Sequence, residues 1–478
     1  FLEFLTQVIG DKHFPIGHGR PGITFGNFDR PFSRQEFHIG AGAIATPGIA
    51  PGLAEAHARF GRMPMRQLIE PACTAARAGV TVTGYQATLG QIVAAILTAS
   101  PEVRALFCDE DLPHREGFVA RNPALADMIE TFAIEGARFA TEGEAAQAVL
   151  SVAEQGGHLQ PDDLRRYAPR WRQPLLIERH GARIHLNPPP SLGGALIAFP
   201  LQLLGRAPRT GDILKALAAT TRARIDAALD DAPAAGARAL LSEETLKRYR
   251  QEIARHAPAI RGTTHISVID RTGMGAALTL SNGEGCGLIA PGTGSMPNNM
   301  LGEADLLPKG FESWNTDTRM SSMMCPLVVD WPDGRFAILG SGGSNRIRSA
   351  LAQVLLHLVD GSAHLTDAIE APRMHVEDGD PAIVEFEDLG HEEHIGRSSF
   401  PQVSEPLDGG LQPGVGITHG IPEGVGGRLG QDILPVYRFE HGVGNGIFLE
   451  GIGLHSLELY VKFSLVVGPV ELLPELYG

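Results

Sequence analysis

In the first half of the chain, apolar residues recur at the three- and four-residue spacing of amphipathic helices. The pattern predicts helices over residues 49–61, 65–78, 123–156, 162–167 and 195–204, and over much of 205–260. Three consecutive prolines in the segment 187–194 exclude a helix interior and a central strand at that point. We therefore expect a rigid loop there, leading into a buried helix.

At Thr263 the period of the pattern changes from helical spacing to alternation. Residues 264–270 and 275–281 alternate around a short turn that contains Gly273, which predicts a β-hairpin. Further strands are predicted over 326–330, 335–340 and 382–387. An amphipathic helix that includes Ile347 follows a loop rich in glycine and serine. Beyond about residue 390 the pattern is weak.

Composition and charge narrow the class of protein. Hydrophobic residues make up 43% and charged residues 20% of the 478 positions, as in folded globular proteins. The length favours two or three domains, unless the chain forms one large layered unit. The net charge of −15 would repel a polyanion, and no dense run of Lys and Arg offsets it. Nucleic acid is therefore not an expected partner.

The cysteines and the apolar runs indicate little about the compartment. Cys73, Cys108, Cys286 and Cys325 lie outside CxxC spacing, so neither a zinc site nor a redox pair is expected, while a distant disulfide stays open. No apolar run reaches the roughly 18 residues of a membrane-spanning helix. Residues 1–5 lack the basic region of a signal peptide, so none is expected. Cytoplasm and periplasm both stay open.

The hairpin begins with a candidate nucleophile, Thr263. A threonine hydroxyl needs a neighbouring base, and the α-amino group of Thr263 can be that base if Thr263 becomes a chain terminus. The ordinary pKa of such a group, about 7.7–8.0, leaves a neutral fraction at physiological pH. The backbone N–H groups of Gly342 and Gly343 suit an oxyanion hole, because no side chain blocks the approach. From the residues alone, a threonine that merely begins a strand stays the alternative.

Seven short segments carry motifs in one order along the chain. They are TPGIAPGL at 46–53, GG…DL…Y at 156–167, NPPPSLGG at 187–194, TTHISVID at 263–270, NNM at 298–300, SSMMCP at 321–326 and GSGGSNRI at 340–347. In this order they resemble the motifs of the gamma-glutamyltransferase family of N-terminal-nucleophile hydrolases. Residues 263–345 resemble the family's small subunit.

The resemblance implies a nucleophile that the protein generates itself. It implies that the chain cuts itself between Gly262 and Thr263 and that Thr263 is then the nucleophile. The family's second, supporting threonine corresponds to Ser281, with Thr279 as the alternative because one residue is missing in this stretch. Asn282 matches the asparagine that holds the free amino group of the new terminus.

The resemblance also implies residues that bind the substrate and its transition state. Ser321 and Ser322 match the pair that binds the substrate α-carboxylate, and Gly342 and Gly343 match the oxyanion-hole pair. The structural alternatives are loop serines that cap backbone groups and a glycine turn that begins a helix. His265 is expected to be a packed strand residue, because the terminal amine makes a second base redundant. The acidic run 377–381 is expected to be a turn rather than a calcium loop.

Three departures from the family pattern affect the substrate pocket. Where the family has residues that hold the substrate α-amino group, this chain has Met300 and Glu303; Met300 cannot bind an amine, whereas Glu303 or Glu284 can. The family's carboxylate-binding arginine has no matching motif, since Arg30 and Arg34 lie in none. The apolar N-terminal segment of the family is absent, and the residues after about 390 do not match.

Taken together, the resemblance implies an α+β fold, a four-layer αββα sandwich with two stacked antiparallel sheets between helices. Large-subunit-like residues 1–262 and small-subunit-like residues 263–478 would stay associated as a heterodimer, with a higher homo-oligomer left open and neither metal nor organic cofactor required. The implied reaction cleaves γ-glutamyl amides such as glutathione through an acyl-enzyme on Thr263, and passes the acyl group to water or an amine. The alternatives are an amidase or acylase with another acyl group, and an unprocessed paralogue with a binding role.

Overall fold

The computed structural model describes residues 38–249 except 207, and residues 263–377 except 271, 304–305, 308–316 and 362–363. Outside these ranges it describes only the backbone of strands at 2–4, 23–24, 36–37, 383–386 and 462–469. Of the residues singled out in the sequence, Gly262, Arg30, Arg34 and residues 378–381 lie outside the described residues.

Contacts divide the chain into two compact units. Unit 1 comprises Phe1–Arg172, Leu280–Met320 and Phe439–Leu465, and unit 2 comprises Gln173–Thr279, Ser321–Arg438 and Val466–Gly478. Each unit combines residues from before and after position 262. The predicted segments 1–262 and 263–478 are defined by a cleavage position instead, and they stay a prediction.

Unit 1 is mainly helical. Its helices are α1 (Ile49–Phe60), α2 (Met65–Ala78), α3 (Gly84–Ile92), α4 (Ala94–Leu97), α5 (Pro101–Phe107), α6 (Pro123–Glu135), α7 (Arg138–Thr141), α8 (Glu144–Ala153) and α9 (Pro161–Arg166). The predictions over 49–61 and 65–78 are confirmed, whereas the predicted helix over 123–156 is three helices. Gly136, with φ of 59°, ends α6, and Gly143, with an extended backbone, precedes α8.

The hydrophobic pattern does not predict α3 and α5, which begin at polar capping residues. The Thr83 side chain accepts a hydrogen bond from Gln86 N (3.3 Å), and Gln86 Oε1 accepts one from Thr83 N (2.8 Å). Ser100 Oγ accepts one from Val103 N at the start of α5 (3.3 Å). These bonds satisfy amides that a helix start leaves unpaired. The Thr-x-x-Gln and Ser-Pro pairs were the signals in the sequence.

The strands of unit 1 are short. They are β1 (Leu2–Phe4), β2 (Ile23–Thr24), β3 (Glu36–Phe37), β4 (Val80–Thr81), β5 (Cys108–Asp109), β6 (Leu112–Pro113), β7 (Val119–Ala120) and β8 (Arg170–Trp171). The core instead joins the helices to later loop residues, since Val149, Phe132, Cys286 and Met300 belong to one buried cluster. Each fully buried large side chain contributes about 1.5–3 kcal/mol. All four cysteines are free thiols, so the disulfide between distant cysteines that the sequence left undecided is not formed.

Unit 2 combines sheets and helices. Its helices are α10 (Gly193–Leu203), α11 (Thr210–Asp226), α12 (Pro233–Leu240), α13 (Glu243–Tyr249), α14 (Arg346–Leu355) and α15 (Leu365–Glu370), with a π-helical turn at Leu356–Asp360. Its strands are β9 (Leu175–Arg179), β10 (Ala182–Leu186), β11 (Thr264–Ile269), β13 (Leu327–Asp330), β14 (Phe336–Leu339), β15 (Met374–Glu377) and β16 (Ile383–Phe386). Two strands, β12 (Met274–Ser281) and β17 (Lys462–Pro469), contribute residues to both units.

A four-stranded antiparallel sheet in the order β14-β13-β10-β9 organises unit 2. Its strands at β13 and β14 confirm the predictions over 326–330 and 335–340, and β16 confirms the strand predicted over 382–387. The hairpin of β9 and β10 was not predicted. It turns at His180 and Gly181, both with positive φ, as a tight hairpin turn requires. The apolar helix α10 packs against β9, α11 and α14, which places a helical layer beside the sheet.

Candidate active site

Thr263 directly precedes β11 in unit 2 and is half-buried. The strand alternates after it, so Thr264 is exposed and His265 is buried. The loop 340–344, which connects β14 to α14, lies against Thr263. A β-carbon built on Gly342 would overlap the carbonyl oxygen of Thr263. Only glycine therefore permits this close approach to the predicted nucleophile.

The 340–344 loop presents two backbone N–H groups beside Thr263. Among the residues that the structure describes, no oxygen accepts a hydrogen bond from the amide of Gly342 or Gly343. The carbonyl of Gly342 accepts one from Ser341 Oγ (2.9 Å), and that of Gly343, with φ of 101°, accepts one from Arg346 N (3.0 Å). Two amides held in a constrained loop can stabilise an oxyanion. The same residues also form the turn before α14.

Ser321 and Ser322 lie in a loop that the proline-rich segment supports. The Ser322 carbonyl accepts hydrogen bonds from Leu192 N (2.8 Å), Gly193 N (3.3 Å) and Ser191 Oγ (3.1 Å). Its hydroxyl is buried, and within the described part of unit 2 no group forms a hydrogen bond with it. A buried hydroxyl without a partner costs about 1–3 kcal/mol, so a polar ligand group that reached it would be favoured.

The buried face of the β11–β12 hairpin carries a polar chain. His265 Nδ1 lies 2.8 Å from Thr279 Oγ1, and His265 Nε2 lies 2.8 Å from Ser267 Oγ. Burial lowers the pKa of His265 to about 3, so the ring is neutral at physiological pH. The expectation that His265 is a packed strand residue is met, and Thr279, the alternative to Ser281, has its hydroxyl beside this ring.

In unit 1, the loop 281–287 contains three of the predicted site residues. Ser281 Oγ accepts a hydrogen bond from Gly283 N (3.1 Å), and the Asn282 carbonyl accepts one from Asn299 N (3.2 Å). Asn299 Oδ1 accepts one from Glu284 N (2.9 Å), and its Nδ2 donates one to Glu284 Oε2 (3.3 Å). Asn299 therefore determines the shape of this loop.

Glu303 is buried and directed at the same loop, with 8% of the residue exposed. A β-carbon on Gly283, whose φ is 70°, would overlap both Asn299 Oδ1 and Glu303 Oε1. The carboxylates of Glu284 and Glu303 thus both lie in the surroundings of Asn299 and Gly283, where they can bind a cationic group. Met300 lies in the apolar core of unit 1.

The structure reveals supporting residues to which the sequence pattern assigns no role. Asn299 organises the 281–287 loop, and Asn298 Oδ1 accepts hydrogen bonds from Ala45 N (3.1 Å) and Met300 N (3.1 Å). Ser191 supports Ser322 as described above. Each lies within a segment that matched a family motif, which was the signal available in the sequence.

The predicted site residues are divided between the two units. Thr263, Ser321, Ser322, Gly342 and Gly343 belong to unit 2, and Ser281, Asn282, Glu284 and Glu303 belong to unit 1. Within unit 2 the structure brings Thr263 and Gly342 together. Within unit 1 it brings Asn282, Glu284 and Glu303 together around Asn299 and Gly283.

Two kinds of feature are absent from the described ranges. No group of three or more His, Cys, Asp or Glu side chains there is arranged to hold a metal ion. No helix there has both the length and the apolar character needed to cross a membrane.

The chain is similar in sequence and in fold to several known proteins. Acylase ACY 1 proenzyme from Pseudomonas sp. (strain V22) is 29% identical over 372 residues, which cover 72% of this chain and 66% of that protein. Glutathione hydrolase proenzyme from Pseudomonas aeruginosa is 28% identical over 380 residues, covering 70% and 66%. The chain thus spans just under two thirds of the length of these relatives.

Among solved structures, cephalosporin acylase from Bacillus halodurans superposes with a TM-score of 0.63 at 19% identity, covering 80% of this chain and 74% of that one. At this identity the likeness concerns the fold alone, which is mixed helix and strand. The family model described as Gamma-glutamyltranspeptidase matches residues 24–398, well over half of the sequence. The chain belongs to the gamma-glutamyltranspeptidase family.

Proposed function

We propose that the chain is a self-processing amidohydrolase in which Thr263 is the nucleophile and the amides of Gly342 and Gly343 form the oxyanion hole. The observation that carries this proposal is the close approach of Gly342 to the Thr263 carbonyl, beside two amides that have no acceptor among the described residues. Each such donor typically lowers the barrier by about 3–4 kcal/mol.

Processing and catalysis use the same chemistry in this proposal. The Thr263 hydroxyl attacks the Gly262 carbonyl, the peptide C–N bond breaks, and an ester forms that water hydrolyses to a Gly262 carboxylate and a free Thr263 amine. That amine then takes the hydroxyl proton as Thr263 attacks a substrate amide, and the proton passes to the departing amine. Water or an acceptor amine releases the acyl group. Segments 1–262 and 263–478 would remain together as a heterodimer in a four-layer αββα sandwich.

The proposed substrate is a γ-glutamyl amide such as glutathione. Its positively charged α-amino group needs a negatively charged partner, and its α-carboxylate needs hydrogen-bond donors or a positive charge. By analogy with the family motifs, we assign the amino group to Glu303 or Glu284 of unit 1 and the carboxylate to Ser321 and Ser322 of unit 2. The buried Ser322 hydroxyl has no hydrogen-bond partner in the described part of its own unit. Relatives named glutathione hydrolase support this choice. The supporting roles of Ser281, for the nucleophile, and of Asn282, for the free amine, follow from the family motif.

A second candidate is an acylase that removes a different acyl group. Met300 stands at a position where the family holds the α-amino group, and it lies in the apolar core instead. Relatives named acylase, and a superposable structure named cephalosporin acylase, are consistent with such a change of substrate. Both candidates share the nucleophile and differ in the pocket.

The test compares Thr263→Ala with Thr264→Ala, the exposed neighbour on the same strand. We expect the wild type and Thr264→Ala to form two fragments on a denaturing gel and to hydrolyse an amide with rates within about twofold of each other. Thr263→Ala is expected to remain one chain and to lose at least about 10⁴-fold in kcat. Cleavage and activity that survive in Thr263→Ala would refute the proposal.

A second assay separates the candidates. A γ-glutamyl anilide is compared with a plain acyl anilide that lacks the α-amino and α-carboxylate groups. Higher kcat/KM on the γ-glutamyl compound supports the first candidate, and the reverse supports the acylase. A wild-type chain that stays whole and hydrolyses neither compound would instead support the unprocessed paralogue with a binding role.

A further inference from the structure

His265 occupies a buried position two residues after the proposed nucleophile, with only 2% of the residue exposed. Ser267 Oγ donates a hydrogen bond to the Ile338 carbonyl (3.3 Å), so its single proton is used. On this ground we assign Ser267 Oγ as the acceptor from His265 Nε2, which gives the ring its Nε2-protonated tautomer. His265 Nδ1 then accepts from the Thr279 hydroxyl. Both ring nitrogens are occupied by this chain of bonds, and neither can serve as a base toward a substrate.

The same ring supports the start of the 340–344 loop. A β-carbon built on Gly340 would overlap the Nδ1, Cε1 and Cγ atoms of His265. Two residues further along, Gly342 lies against the Thr263 carbonyl in the same way. Gly340 therefore packs against His265, and Gly342 packs against Thr263. His265 and Thr263 are two positions apart around the start of β11. The imidazole ring is therefore in close contact with the start of the loop.

We propose that His265 is a positioning residue, whose neutral Nε2-protonated ring holds the 340–344 loop at the distance from Thr263 at which its amides stabilise the oxyanion. This inference rests on the proposed function of Thr263. The ring acts by its size and its two hydrogen bonds, and it transfers no proton. Burial, which lowers the pKa of the ring to about 3, keeps the imidazole neutral at physiological pH.

The first test removes the ring and then partly restores it. His265→Ala is expected to lower kcat about 100-fold while KM stays within about threefold, because a displacement of about 1 Å at a catalytic group costs this much and substrate binding does not use the loop amides. His265→Gln keeps a donor for Ser267 and part of the volume, and is expected to recover about tenfold of that loss. Thermal unfolding measures the folded fraction, and quantification of the free Thr263 amine measures the processed fraction. The value of kcat is then calculated per molecule of folded, processed protein.

The second test is a double-mutant cycle with Gly340→Ala, which adds a methyl group where the ring lies. In the wild-type background this change is expected to lower kcat at least tenfold. In the His265→Ala background the methyl group enters the space that the ring has left, so the double variant should be no less active than His265→Ala alone. Such strong non-additivity requires direct contact between the two positions.

Distinct outcomes separate this inference from the function on which it rests. If the wild type is active and folded His265→Ala keeps kcat within about twofold, or if the two substitutions add, the positioning role is wrong and the nucleophile proposal stands. If KM rises in proportion to the loss of kcat, His265 serves the binding of substrate and the inference is also overturned. If the wild type neither cuts itself nor hydrolyses any amide, the proposed function fails first and the inference falls with it.

Discussion

The 340–344 loop of unit 2 and the 281–287 loop of unit 1 use glycine for the same reason and to different ends. In each, a β-carbon would overlap a neighbouring oxygen. Gly342 meets the backbone carbonyl of Thr263, whereas Gly283 meets the side-chain oxygens of Asn299 and Glu303. A backbone oxygen at a strand start cannot move away, but the ends of side chains can.

This difference separates the loop proposed to take part in the reaction from the loop proposed to select the substrate. The 340–344 loop approaches the proposed nucleophile itself, and it keeps the glycines of the family motif. The 281–287 loop contains Glu284 and lies against Glu303, which with Met300 is a position where the sequence departs from the family motif. We therefore expect changes in the first loop to affect kcat for every substrate, and changes in the second to affect KM for amine-bearing substrates only.

The strongest test of this contrast is Gly342→Ala. The added methyl group must displace the loop from Thr263, so we expect kcat to fall about 10²–10³-fold on γ-glutamyl and plain acyl anilides alike. Gly211→Ala is the control, because Gly211 lies in the same unit at the start of α11 and a β-carbon added there would meet no heavy atom within 4 Å. An effect on only one substrate, or on KM alone, would contradict the proposed difference between the two loops.

A substitution in the other loop, Glu303→Gln, should affect binding. Removing the charge is expected to raise KM for a γ-glutamyl anilide about 10–100-fold, since a hydrogen bond to a charged group contributes about 1.5–3 kcal/mol. KM for the plain acyl anilide should change less than about threefold. Glu284→Gln, measured in parallel, determines which carboxylate carries the effect. Equal losses on both substrates would mean that Glu303 only supports the fold.

Gly283→Ala should produce a smaller effect of the same kind. Asn299 and Glu303 can shift to admit a methyl group, so we expect KM for the γ-glutamyl anilide to rise about 5–10-fold with kcat nearly constant. The positive φ adds strain of about 1–2 kcal/mol, which lowers thermal stability. Gly292→Ala in the same unit has a similar φ of 76° and open space, so it reports the strain alone. A KM change in Gly292→Ala of the same size would contradict this account.

The smallest predicted effect concerns the stability of unit 2 rather than turnover. The folded pKa of His265, about 3, is below its ordinary value near 6.5, so between these values the unfolded chain binds the extra proton. The free energy of unfolding should therefore decrease as pH falls from 6.5, by about 1.4 kcal/mol per pH unit more than in His265→Gln. Denaturant unfolding at pH 7.0 and 5.5 measures this difference, and parallel curves for both proteins would contradict it.

Much of the unit architecture could be predicted from the sequence where the hydrophobic period was strong. α1, α2, β13 and β14 appear close to their predicted bounds for that reason. The β9–β10 hairpin was missed because its signal is one His-Gly turn with positive φ at His180, where Asn or Asp is more usual. The helix predicted over 123–156 is divided because a glycine with positive φ outweighs the continuing apolar spacing.

The candidate site shows the same limit of prediction from sequence more clearly. Ordered motifs were enough to single out Thr263 and Gly342, and the structure brings these two positions together in one backbone contact. The environment of Glu303 could not be derived in this way, because it depends on side-chain contacts around Asn299 and Gly283 that motif spacing does not specify. Motif spacing encodes the first kind of arrangement and not the second.

Determining the N-terminal residues of every fragment in the purified protein after incubation shows directly whether Thr263 becomes a chain terminus. We expect a new terminus that reads Thr263-Thr264-His265, appearing in step with amidase activity and absent from Thr263→Ala. An active protein whose chain remains whole, or one cut elsewhere and equally active, would contradict this expectation.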